Sequence, residues 1–159
     1  ANILTSHLEM TCIFAGSFNP FTVGHADIVK RGLEIFDSIA ICVGANINKP
    51  DDWDSAQQRA TEIAEIYAHE ERVSVERWSG LTSDYAKKIG TRFLLRGVRS
   101  VKDYEYERDM ADANREIFGL ETIILFADPK LAYVTSSLLR ELKAYGQDIE
   151  AYLPKTTKE

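Results

Sequence analysis

Five short apolar runs punctuate the chain, at residues 10–15, 38–45, 73–78, 93–96 and 121–126. Helical patterns stand between them. Ile28, Val29, Leu33 and Phe36 are spaced to make one apolar face. Residues 55–68 place Ala56, Ala60, Ile63, Ala64 and Tyr67 on one side. A short helix at 82–89 stops at Gly90, a long charged one at 102–118 stops at Gly119, and another at 136–145 closes at Gly146. One short apolar turn follows Asp148. Strand and helix signals that alternate this regularly leave few options. The expected fold is α/β: a doubly wound, five-stranded parallel sheet with right-handed crossovers. Ligands of such sheets bind at the carboxyl ends of strands, where the strand order reverses. The loops at 16–25, 45–54, 96–103 and 127–137 follow strands on that edge, so they are expected to form one site.

Composition narrows the partners. The chain has 159 residues, 45% of them hydrophobic and 28% charged, enough for one core. Residues 1–9 show no pattern and are expected to be a leader, with Met10 the natural start. Residues 10–159 are then a single domain. A net charge of −6 argues against a nucleic-acid polymer as partner. It leaves room for a small phosphorylated ligand, which needs only a few well-placed cations. No apolar run approaches the ~20 residues of a membrane span, and no signal peptide opens the chain. Membrane partners are therefore not expected. Cys12 and Cys42 both lie inside apolar runs, which suits buried free thiols and a cytoplasmic location.

The loops carry the chemistry. The stretch from Phe14 to His25 reads as strand, glycine turn and helix start, where backbone N–H groups and a positive helix end suit phosphate. Gly16 lets the backbone turn close to a ligand, Ser17 offers a hydroxyl, and His25 stands at the mouth of the helix. On residue types alone His25 could equally cap or pack. Thr135, Ser136 and Ser137 open another helix with consecutive hydroxyls, suited to anionic oxygens or to an ordinary N-cap. Arg96 and Arg99 flank Gly97 after the fourth strand. They suit bidentate phosphate contact, or pairing with Asp103 or Glu107.

Taken together these stretches resemble a known superfamily. Thr22-Val23-Gly24-His25 resembles the signature of the T/HxGH nucleotidyltransferases. Gly16-Ser17-Phe18-Asn19-Pro20 is similar to their GTFDP-type turn, with serine for threonine and asparagine for aspartate. Val134-Thr135-Ser136-Ser137-Leu138-Leu139-Arg140-Glu141 resembles their ISSSxxRE motif. The run from Leu95 to Glu107 is similar to the RG(L/V)RxxxDxEYE signature of the bacterial phosphopantetheine adenylyltransferases, and Gly80 to Ala86 (GLTSDYA) matches their third-strand exit.

That resemblance implies a Rossmann-like nucleotidyltransferase fold and transfer of an adenylyl group from ATP to 4′-phosphopantetheine. The products are dephospho-coenzyme A and pyrophosphate, the penultimate step of coenzyme A biosynthesis. It implies His25 and Lys49 as catalytic residues. It puts ATP against Ser17, Phe18, His25, Gly97, Val98, Arg99, Glu107, Leu131, Ala132, Tyr133, Val134, Thr135, Ser136 and Ser137. It puts phosphopantetheine against Ser17, Lys49, Thr82 and Arg96. It implies Mg2+ carried with ATP rather than by a protein cage, coenzyme A as a feedback ligand, and a homohexamer. The family's aromatic residue before the serine run is replaced by Leu131-Ala132-Tyr133, with Tyr133 the available ring. Two alternatives stand beside this reading. One is a nicotinamide or nicotinate mononucleotide adenylyltransferase or another T/HxGH enzyme. The other is a nucleotide-binding regulatory domain without catalysis.

Overall fold

A computed structural model of the chain describes residues 9–156. The expected leader, apart from Glu9, lies outside the described residues. Five strands form a single sheet: β1 (Thr11–Gly16), β2 (Ser38–Gly44), β3 (Val73–Trp78), β4 (Phe93–Val98) and β5 (Glu121–Phe126). All pairings are parallel and the order is β3-β2-β1-β4-β5. The helices are α1 (Val23–Gly32), α2 (Asp52–Ile66), α3 (Thr82–Ile89), α4 (Val101–Phe118) and α5 (Ser136–Ala144), with a 3-10 turn at Glu150–Tyr152. The expected α/β fold is the observed one.

The period of two along the central strands sorts their side chains onto two faces. Cys12 and Phe14 of β1 share a core with Ile39, Ile41 and Val43 of β2. Ile28 and Val29 of α1 and Ala56, Ala60 and Ile63 of α2 cover that face. Ile13, Ala40 and Cys42 point the other way, to Tyr85 and Ala86 of α3 and to Leu94. A strand buried on both faces must be apolar throughout, which is why TCIFA and IAICV read as unbroken runs. Gly32 closes α1 against the sheet. A Cβ there would stand 2.7 Å from Leu95 Cδ2 and 2.9 Å from Ile39 Cδ1. Both cysteines are buried and free, and burial pushes both thiols up to about 12.

Three boundaries differ from the sequence pattern by two residues or more. β4 runs two residues beyond Arg96, because Gly97 and Val98 pair with Leu125 and Phe126 of β5. α1 ends at Gly32, so Leu33 and Phe36 pack from the connection that follows rather than from the helix. α2 begins at Asp52, after Asp51 in the left-handed region at φ 66°.

No helix among the described residues is long and apolar enough to cross a membrane. α4 buries only Glu107, and leaves Val101, Tyr106 and Ile117 well exposed.

Candidate active site

The strand order reverses between β1 and β4, and a cavity of about 430 Å³ opens at their carboxyl ends. Ser17, Phe18 and His25 line one side. Arg96, Gly97, Arg99 and Glu107 line the second. Leu131, Val134, Thr135, Ser136 and Ser137 line the third. Three of the four expected loops therefore meet at one place, although 120 residues separate Ser17 from Ser137.

His25 is locked into the start of α1. Thr22 is the N-cap, and its Oγ1 accepts from the N–H of Gly24 at 3.1 Å and of His25 at 3.3 Å. In return the Thr22 N–H donates to His25 Nδ1 at 2.9 Å. An Nδ1 that accepts carries no proton, so the neutral ring holds its proton on Nε2. Burial, with Arg99 and Arg96 adding positive potential, pulls the His25 pKa down to about 4. The imidazole is therefore neutral at pH 7, with an N–H to donate. Phe21 stacks on it at 5.3 Å between centroids, and Phe18 meets it edge-on at 5.0 Å. This reciprocal cap also alters the anion site expected here. The Gly24 and His25 N–H groups already serve Thr22, so α1 offers its dipole and the histidine rather than those amides.

The turn before α1 is held from outside. Arg59 Nε donates to the Ser17 carbonyl at 2.9 Å, Arg140 Nη1 to that of Asn19 at 2.7 Å, and Ser136 Oγ to that of Pro20 at 2.8 Å. Phe18 adopts φ 47°, and its side chain is buried in the core rather than offered to a ligand. Only its backbone remains for contact.

The hydroxyl run at α5 is divided in use. Thr135 is the N-cap and accepts from the Leu138 N–H at 3.0 Å. Ser136 is engaged with Pro20, and Ser137 Oγ accepts from Arg140 Nη2 at 3.2 Å. Helix geometry leaves the Ser136 and Ser137 amides without an intrahelical acceptor, at the positive end of α5. Anion binding here falls on amides rather than on three hydroxyls.

The two arginines are both paired. Arg96 meets Glu107 through two parallel bonds, Nε to Oε2 at 3.0 Å and Nη2 to Oε1 at 2.8 Å, and Nη1 donates to the Ala15 carbonyl at 2.6 Å. Glu107 is 8% exposed, so this carboxylate is a buried counter-charge. Three of five guanidinium N–H groups are engaged, which leaves two for a ligand. Arg99 Nε meets Asp103 Oδ2 at 3.0 Å. Val98 is buried at the end of β4, outside the cavity lining.

A second cavity of about 270 Å³ adjoins the first and shares Ala15, Arg96, Tyr106 and Glu107 with it. It is mostly apolar, with Leu81, Leu94, Met110 and Phe118 among its walls, and it holds Thr82. The Arg96–Glu107 pair thus stands between two chambers. Besides Val98, three expected residues lie elsewhere. Lys49 is exposed on the loop after β2, outside both cavities. Ala132 is half-buried beyond the lining. Tyr133 is 59% exposed and turns its ring to Tyr152, 6.1 Å away. The pattern reading missed Thr22 as partner of His25, and missed Arg59, Arg140 and Tyr106. Arg140 stood inside the quoted hydroxyl motif. Arg59 gave no signal, because a lone arginine on a polar helix looks like any solvated side chain.

A family model described as Cytidylyltransferase-like matches residues 13–142. A phosphopantetheine adenylyltransferase of Porphyromonas gingivalis is 46% identical over 143 residues, 90% of this chain and 93% of that protein. One of Limosilactobacillus fermentum is 45% identical over 148 residues, 92% of this chain and 85% of that protein. Among solved structures, a bifunctional NMN adenylyltransferase/ADP ribose pyrophosphatase from Francisella tularensis superposes with a TM-score of 0.67 at 15% identity. It covers 94% of this chain and 46% of that one, a likeness of fold alone. By its sequence the chain belongs to the cytidylyltransferase-like family and, within it, to the phosphopantetheine adenylyltransferases.

Proposed function

We propose that the protein transfers the adenylyl group of ATP to 4′-phosphopantetheine, releasing pyrophosphate and dephospho-coenzyme A, the penultimate step of coenzyme A biosynthesis. The observation that carries this reading is the pair of chambers joined at Arg96. The larger has His25 and the start of α5, which suit a triphosphate. The smaller is apolar and suits an uncharged arm whose phosphate ends at Arg96. The relatives named above supply the acceptor's identity.

The reaction asks little covalent help. A phosphate monoester has a second pKa of about 6, so the acceptor reaches pH 7 largely as a dianion and needs no general base. One of its oxygens bonds to the α-phosphorus of ATP while the bridge to the β-phosphate breaks, and that electron pair leaves on pyrophosphate. The protein's task is alignment and charge stabilisation. The neutral His25 donates Nε2–H to an α-phosphate oxygen as charge builds there. Ser17 orients the reacting groups through its hydroxyl and amide. Arg96 uses its two remaining N–H groups on the acceptor phosphate. Glu107 acts on the nucleotide side through Arg96, and Thr82 meets the pantetheine arm. Gly97, Val98 and Arg99 serve the nucleotide from the end of β4. The 131–137 segment, including Ala132 and Tyr133, serves adenine and the phosphate tail, with Phe18 adding its backbone. Lys49 bridges the two phosphates from the rim.

Mg2+ travels with ATP in this reading and neutralises phosphate charge. The carboxylates lining the larger cavity, Asp103 and Glu107, are each engaged by an arginine, so phosphate oxygens and water suit the ion better. Coenzyme A fits the same two chambers as a feedback ligand. The exposed apolar residues of α4 support a homohexamer, and the free buried thiols support a cytoplasmic location.

Pyrophosphate release measured with ATP and alternative acceptors tests the reading. Turnover is expected with phosphopantetheine and at least ~100-fold less kcat/KM with nicotinamide mononucleotide, because the mostly apolar smaller chamber leaves the mononucleotide's ribose hydroxyls and charged ring without partners. Turnover confined to the mononucleotide overturns it.

A further inference from the structure

Lys49 poses a question of position: it stands on an exposed loop, outside the cavity where the reacting phosphates would lie. One side chain connects that loop to the site. Arg59 of α2 donates through Nε to the Ser17 carbonyl at 2.9 Å and through Nη2 to the Gly44 carbonyl at 3.4 Å. Its Nη1 stands 3.7 Å from Asp52 Oδ1. The other oxygen of Asp52 accepts from the Asn46 N–H at 2.5 Å. Asn46 in turn organises the loop. Its side chain accepts from the Asn48 N–H at 3.0 Å and its carbonyl from the Lys49 N–H at 3.0 Å. Both charged side chains of the link are largely covered, Arg59 at 13% and Asp52 at 20% exposure.

The start of α2 is also held from β3, where Arg77 Nη1 donates to the Trp53 carbonyl at 3.1 Å and its guanidinium lies 3.8 Å over the Trp53 ring, but that contact does not touch the loop. Asp51 occupies the N-cap position but makes no side-chain cap bond, and its backbone is left-handed at φ 66°. Asp52 is the group that ties the loop itself to Arg59, with one oxygen on the Asn46 N–H and the other facing Arg59 Nη1. Only a planar guanidinium can serve two carbonyls and a carboxylate at once; an ammonium lacks that fixed fork.

We infer that Arg59 is a positioning residue for the transfer, a strut that sets the Lys49 loop against Ser17 through the ion pair with Asp52. Ser17 and Lys49 are both expected at the reacting phosphates beside Arg96, so the strut fixes the separation of those two. This rests on the adenylyl-transfer reading and deepens it. The energetic logic is alignment: a displacement of about 1 Å at a reacting group costs on the order of 100-fold in rate.

The test is a double-mutant cycle in the pyrophosphate-release assay, using the full chain. Wild-type protein is assayed first; a lack of turnover with phosphopantetheine would count against the adenylyl-transfer reading itself. With an active enzyme, Arg59→Ala is expected to lower kcat by about 10- to 100-fold while KM for ATP changes by less than about 3-fold. In a Lys49→Ala background the same change is expected to cost less than about 3-fold, since the residue it positions is gone. Arg59→Lys should recover only part of the rate. Asp52→Asn breaks the strut from its other end and should show the same dependence on Lys49, which keeps the test available if Arg59→Ala fails to fold. Multiplicative losses in the double variants would overturn the inference, as would an unchanged kcat in Arg59→Ala. An inert Lys49→Ala would overturn it too, while leaving adenylyl transfer standing.

Discussion

In the proposed reaction His25 and Lys49 serve the same phosphate, yet the fold holds them by opposite means. His25 is packed between Phe18 and Phe21, with its Nδ1 engaged and its charge removed by burial. Lys49 is exposed on a polar loop outside both cavities, and the contacts of Asn46, Asp52 and Arg59 link that loop to the Ser17 turn. The difference follows from what each group supplies. A neutral hydrogen-bond donor acts only at short range and in one direction, so it must be fixed before the substrate arrives. An ammonium acts over several ångströms and is strongly hydrated, so burying it would lower the charge it contributes.

The largest expected effect breaks the rigid side. His25→Ala should lower kcat by about 10²–10³-fold, the scale of losing a preorganised transition-state donor, with ATP affinity little changed. An unchanged rate in single-turnover measurements would remove His25 from the chemistry. A smaller effect comes from loosening the same residue without removing it. Thr22→Ala deletes the N-cap hydroxyl and should cost about 1 kcal/mol in chemical denaturation. Its rate should fall less than that of His25→Ala, since the Thr22 backbone N–H still orients the ring. The smallest perturbation is pH. The folded His25 pKa, about 4, lies below the ordinary 6.5, so the unfolded chain binds the extra proton first as pH falls. His25 therefore leaves stability unaffected above about pH 6.5 and withdraws it progressively from there down to about 4. Nitrogen-resolved NMR should show Nε2 protonated and no titration of this ring between pH 6 and 8. A midpoint near 6.5 would erase the contrast with Lys49.

Much of this arrangement is legible along the chain. β3, α3 and β5 fall on the residues the pattern predicts, because alternation and terminal glycines mark them locally. β4 reads two residues short, since Gly97 ends the apolar signal while pairing with β5 continues through Val98. The motif around His25 marks a strand–turn–helix start, but its means of support are hidden. The carbonyls of Ser17, Asn19 and Pro20 are held by side chains 42, 121 and 116 residues away. The hydroxyl run identifies a helix start without revealing that Thr135 is used as the cap. The pairing of Arg96 with Glu107 and of Arg99 with Asp103 follows from α4 beginning three residues beyond β4, at Val101.

The bonds from Ser136 and Arg140 back to the first turn carry a consequence for synthesis. The first turn leaves the ribosome more than a hundred residues before α5. Chains emerge from the amino end at about 5–20 residues per second, so that interval lasts on the order of ten seconds. Through most of it the nascent chain has its histidine and the Arg59 contact, but neither the far wall of the cavity nor the two clamps that α5 supplies. Assembly of the proposed ATP site is thus deferred until the whole sheet has been synthesised, and a shorter chain lacks one wall of that cavity.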